Sequence, residues 1–87
     1  MKVIKRNGRL QEFDVNKIKV SIMRASDDLK QPLNSSDIDN ITQSIQGTIK
    51  TYNEDSVKAQ EIHRIVVEEL RKYGFQHIAE AYDEGSK

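Results

Sequence analysis

Three cations, Lys5, Arg6 and Lys17, fall around a tight turn and the opening of a helix. Asp14 is a good N-cap residue, so the helix is predicted to start at Val15, which puts Lys17 in its first turn. A cation there opposes the helix dipole at a cost of roughly 0.3–1 kcal/mol. Free backbone amides at a helix start attract anions, and a bound di- or triphosphate would make sense of the crowded positive charge. The bland alternative is a solvated cluster neutralised by Asp14 or Glu12. A later helix provides an internal contrast, because Asp37 and Asp39 occupy its opening turn, as the dipole favours.

The turn itself is Asn7-Gly8 between two short β-prone runs, Val3 to Arg6 and Arg9 to Phe13, a strong local signal for a β-hairpin. With a three-residue loop and Gly8 in the left-handed region, Val3, Lys5, Gln11 and Phe13 share one face. Ile4, Leu10 and Glu12 share the other. The second reads as the core face, and the first as a floor for a purine base and its phosphates. A two-residue loop would scramble this partition, since a slip of one residue sends side chains to the opposite face.

His63 lies within a helical pattern beside Ile62, where it is either an ordinary half-buried polar residue or a partner for a ribose hydroxyl or phosphate. His77 has no functional neighbours. Neither histidine has a second one four residues away, and Glu61 and His63 are too close in sequence to share a helix face, so no metal site is expected. Ser21, Ser26 and Thr42 lack the surroundings of a nucleophile. Gly8, Gly47, Gly74 and Gly85 are isolated, so no Gly-rich phosphate loop is present and any nucleotide must be held by side chains and a helix end. The chain reads as a binding module, not an enzyme.

The elements needed to position these residues fit one small domain of 87 residues. Lys plus Arg and Asp plus Glu balance at 14 each, which argues against nucleic-acid binding by broad electrostatic attraction. The absence of cysteine excludes disulfides and thiolate metal sites, and no apolar run reaches the ~18 residues of a membrane span; a soluble, cytoplasmic domain is expected. Ile18, Ile22, Ala25 and Leu29 form the stripe of a first helix. After a turn at Gln31 to Ser36, with Ser35 or Ser36 as N-cap, Ile38, Ile41, Ile45, Ile49 and Tyr52 mark a second; this stripe is core by default, with a partner-helix groove as the alternative. A polar break at Asn53 to Ser56 precedes a third helix marked by Val57, Ile62, Ile65, Val66, Leu70 and Tyr73 and stopped by Gly74. Phe75, Ile78, Ala79 and Tyr82 suggest a short fourth helix, followed by a frayed tail over 83–87.

The string Val3-Ile4-Lys5-Arg6-Asn7-Gly8, then Phe13-Asp14 and Lys17-Ile18, and further on Ile62-His63, resembles the ATP-cone domain. This regulatory module stands at the N-terminus of many ribonucleotide reductases and in the repressor that controls their genes. The resemblance extends to Tyr73-Gly74-Phe75 and Tyr82, and implies a cone domain over 1–82. The implied fold is α+β but mainly α, an N-terminal β-hairpin capping a small bundle of three to four helices, with ATP or dATP bound between them. Carried over by position, Lys5, Arg6 and Lys17 resemble the phosphate contacts, Val3 and Phe13 the apolar neighbours of the base, Gln11 and Asp14 further nucleotide contacts, and His63 the histidine near the sugar. Three positions depart from the family: Gln11 stands where a glutamate can occur, Ala59 replaces a hydroxyl residue, and the Tyr-x-x-Tyr-Arg-like ending is missing after Tyr82.

The implied function is allosteric regulation of a ribonucleotide reductase, activity permitted by ATP and suppressed by dATP through conformational or oligomeric change, with Mg2+ held by the phosphates. Partners would be adenine nucleotides and a reductase catalytic domain or a second copy, without membrane or direct nucleic acid. The alternatives are the nucleotide-sensing part of a transcriptional repressor and a helical interaction module without a ligand.

Overall fold

Arg6, Asn7 and Gly8 close a three-residue hairpin loop. The structure, a computed structural model, describes residues 1–30, 33–52 and 55–85. Lys5 N donates to Arg9 O at 2.8 Å and Gly8 N to Lys5 O at 2.9 Å. Gly8 has φ +82°, the left-handed conformation that this loop requires and that a side chain would strain. The flanking strands β1 (Lys2–Ile4) and β2 (Leu10–Glu12) are antiparallel, with Lys2 opposite Glu12, Val3 opposite Gln11 and Ile4 opposite Leu10.

That register is the one expected of the longer loop, but the faces are used the other way round. Val3 and Phe13 pack against the core, whereas Leu10, predicted to face the core, is 64% exposed. Lys2 and Glu12 share the Leu10 face and pair with each other there, so turning it inward would have buried an ion pair.

A further departure is β3 (Ser56–Lys58), a strand where the third helix was expected to begin. It pairs with β1 in parallel, Val3 opposite Val57 and Ile4 opposite Lys58, giving the sheet order β2-β1-β3. Lys2 N extends the pairing by donating to Asp55 O at 2.9 Å. Val57 is buried as a strand residue, not a helical one.

The helices are α1 (Val15–Asp28), α2 (Ser35–Lys50), α3 (Ala59–Lys72) and α4 (Gln76–Gly85). Asp14 caps α1 as expected, its side chain accepting from Asn16 N at 3.0 Å. The N-cap of α2 is Asn34, one residue before the predicted serines, and accepts from Asp37 N at 2.8 Å. Gly74, with φ +88°, follows the end of α3. Ile18 and Ile22 of α1, Ile38, Ile41, Ile45 and Ile49 of α2, and Ile62, Ile65, Val66 and Leu70 of α3 join Ile78 and Ala79 of α4 in one core. The α2 stripe is therefore core. Leu29, the last residue of the α1 stripe, stands at the edge, 37% exposed. The expectations for Gln31-Pro32, Asn53-Glu54 and Ser86-Lys87 lie outside the described residues.

Two polar features join α3 to α2. Arg64 donates to Glu61 at 2.7 Å, to Glu68 at 2.9 Å and to the Tyr52 hydroxyl at 3.0 Å, tying the end of α2 to α3. The hydrogen bond from Arg64, foremost, holds the Glu61 carboxyl below its ordinary range. A depressed carboxylate contributes stability at pH above its unfolded value, lost as pH falls through the folded one. Melts of wild type and Arg64→Met should differ at neutral pH and converge below the ordinary glutamate range. Glu69, by contrast, is buried with Oε1 3.4 Å from Thr48 Oγ1 and no partner on Oε2 among the described residues. A buried carboxylate so poorly satisfied costs more than an apolar side chain of similar size. Glu69→Met should raise the melting temperature; a clear fall would mean that the carboxylate is structural.

Candidate functional site

Parallel pairing of β1 with β3 makes both strands leave the sheet at the same end. Ile4 lies opposite Lys58, so Lys5 and Arg6 emerge beside Ala59 and Gln60, the first residues of α3. An open cleft of about 1090 Å³ lies there, near the upper end of the roughly 300–1,000 Å³ typical of small-molecule sites. The hairpin lines it with Lys5, Arg6, Asn7, Arg9, Leu10 and Gln11. Helix α3 contributes Ala59, Gln60, Ile62 and His63, and α4 contributes Tyr82 and Asp83.

The hairpin side of the cleft is cationic. Among the described residues, none of Lys5, Arg6 and Arg9 has a carboxylate within 4.0 Å. Lys58 caps α3 without a side-chain hydrogen bond, so the amides of the first turn are not covered by a capping oxygen. Glu61, the acidic residue of that turn, is engaged with Arg64. Three unneutralised cations facing an uncapped helix start form an arrangement suited to a polyanion.

The α3–α4 side is aromatic and carries a carboxylate. His63 Nε2 lies 2.7 Å from Asp83 Oδ1, and the His63 ring stacks on Tyr82 with centroids 5.1 Å apart and planes 23° from parallel. Burial pushes the Tyr82 phenol up, so it stays protonated at neutral pH and keeps a hydroxyl donor. With Ile62 as an apolar wall, this end offers a flat, partly apolar surface with hydrogen-bonding edges.

Of the residues singled out in the sequence, the fold brings Lys5, Arg6, Gln11 and His63 into this cleft. Val3 and Phe13 pack beneath the hairpin against the core. Asp14 and Lys17 line a separate, shallower depression with Asn16, Val20, Ser21 and Arg24. The helix start that faces the hairpin cations is therefore that of α3 and not, as the sequence suggested, that of α1. Arg9, Gln60, Tyr82 and Asp83 were missed. Arg9 had a legible signal, three cations within five residues of a turn; Asp83 had none, because its proximity to His63 arises only when α4 packs on α3. His77 is exposed, 4.0 Å from Glu80.

The sequence profile of the ATP cone domain matches residues 1–84. The chain belongs to the ATP-cone family. It is 33% identical over 78 residues to the transcriptional repressor NrdR of Acinetobacter baumannii (strain AYE), covering 90% of this chain and 49% of that protein. The repressor of the same name from Bacillus mycoides (strain KBAB4) is 32% identical over 69 residues, 79% of this chain and 44% of the relative. The chain thus spans about half the length of the curated relatives it matches. The family resemblance read from the hairpin, the first helix start and Ile62-His63 holds for the chain as a whole.

If the hairpin cations serve a ligand and not the fold, removing them relieves repulsion. Lys5→Ala and Arg9→Ala should leave the melting temperature of the ligand-free domain unchanged or slightly raised, whereas Asp14→Ala should cost about 1 kcal/mol through the lost cap. A marked destabilisation by Lys5→Ala would assign that lysine a structural role.

Proposed function

We propose that this chain is a regulatory domain that senses adenine nucleotides, binding ATP or dATP in the cleft between the hairpin and the α3–α4 pair. The observation that carries this reading is the set of three unneutralised hairpin cations facing the uncapped start of α3, with an aromatic surface at the far end. The phosphates lie toward Lys5, Arg6 and Arg9, and the nucleoside toward Ile62, His63 and Tyr82. Among the described residues no group of three or more His, Asp or Glu side chains could hold a metal ion, so Mg2+ enters with the phosphates that ligate it. Val3 and Phe13 support the site from behind by holding the hairpin on the bundle. The family resemblance also carries Asp14 and Lys17 to the nucleotide, but they line a separate depression, and the cleft reading leaves the phosphates to Lys5, Arg6 and Arg9.

The role follows from linkage. A nucleotide that bridges the hairpin and the helices favours the arrangement in which those elements are closest, and any domain or second copy that distinguishes the arrangements reads that preference. The matched relatives are named transcriptional repressors, which favours a repressor as the context for this domain over the reductase first expected. The expectation that no nucleic acid takes part loses its support on the same ground.

Titration calorimetry with ATP, dATP and GTP, with and without Mg2+, tests the reading. Heat should appear for ATP and dATP, and Lys5→Ala should weaken ATP about tenfold, the size of one charge-assisted hydrogen bond. Lys17→Ala, outside the cleft, should leave ATP affinity close to that of the wild type. No heat from any adenine nucleotide at ~100 μM protein would favour the interaction module without a ligand.

A further inference from the structure

We infer that Asp83 is a positioning residue that fixes the tautomer of His63, presenting Nδ1 as a hydrogen-bond acceptor for a sugar hydroxyl. The inference rests on the nucleotide reading above and concerns which groups of α4 shape the sugar subsite. His63 Nε2 and Asp83 Oδ1 are 2.7 Å apart, with side chains 29% and 45% exposed, so the contact is partly shielded from water. A carboxylate only accepts, so Nε2 carries a hydrogen, and in the neutral form of the ring Nδ1 is then the acceptor. Tyr82 stacks on the same ring and holds its plane, so two adjacent residues of α4 set both the orientation and the hydrogen-bonding sense of one α3 side chain.

That sense selects the ligand group. An ionised phosphate has no hydrogen to give to Nδ1. A hydroxyl is a donor and carries no charge. Lys5, Arg6 and Arg9 draw phosphates toward the hairpin, which leaves the sugar hydroxyls as the donors for His63. The carboxylate therefore contributes by holding the tautomer.

Two readouts on the 87-residue chain test this. Imidazole 15N–1H correlation spectra at pH 8 report the tautomer directly. Wild type should show His63 with its hydrogen on Nε2, and Asp83→Ala should give a mixture. Asp83→Asn, whose amide can donate to Nε2 as well as accept from it, should no longer hold a single tautomer. Calorimetry with ATP, 2′-deoxy-ATP and 3′-deoxy-ATP then locates the contact. Asp83→Ala should weaken ATP in proportion to the competent tautomer lost, about twofold for an even mixture, and should leave unaffected the analogue lacking the contacted hydroxyl. Equal losses for all three nucleotides, or an unaltered tautomer in Asp83→Ala, would overturn the assignment and reduce Asp83 to a packing contact of α4. Failure of the wild-type chain to bind ATP would overturn the nucleotide reading itself, an outcome distinct from binding that ignores Asp83.

Discussion

The central strand β1 is hydrogen-bonded on both edges, antiparallel to β2 and parallel to β3. The functional surface depends on the parallel edge. A hairpin alone would be marginally stable in water and free to sit anywhere on the bundle. Pairing Val3 with Val57 and Ile4 with Lys58 fixes the height at which the hairpin leaves the sheet, and so brings Lys5 level with Ala59. The cations of the turn then face the start of α3, whose amides carry the same sign of partial charge. Val57, fully committed to the core, anchors this arrangement from one side, and Val3 and Phe13 anchor it from the other.

The cleft combines elements distant in the chain. Hairpin, α3 and α4 each supply one kind of chemistry: cations, an uncapped helix start with His63, and the Tyr82–Asp83 pair. No single element could bind a nucleotide at both ends. Under the proposed reading, a ligand spanning the cleft would add contacts between parts that the apolar core joins only indirectly. The free energy of those contacts is what a neighbouring domain can draw on.

Local order was legible in the sequence wherever a short-range rule applied. Asn7-Gly8 specified the hairpin, Asp14 the start of α1, Gly74 the end of α3, and the isoleucine spacing of α2 a buried stripe. The failures were long-range. Ser56-Val57-Lys58 has one apolar residue and no strand pattern of its own; it is a strand because β1 offers it an edge. The inward face of the hairpin was misread because Ile4 and Leu10 outweigh Val3 on hydrophobicity, while the cost of burying Lys2 and Glu12 beside them decides the outcome. At the site, Lys5, Arg6, Gln11 and His63 could be named from residue type and family resemblance, but Tyr82 and Asp83 depend on helix packing that no local spacing encodes.

The proposed nucleotide site requires hairpin, α3 start and α4 end to act together. Amide chemical-shift mapping during an ATP titration tests it most directly. Perturbations should concentrate at Lys5 to Gln11, Ala59 to His63 and Tyr82-Asp83, and leave the exposed side of α2 unchanged. Saturable shifts confined to some other surface, with the hairpin turn and α3 start silent, would contradict it.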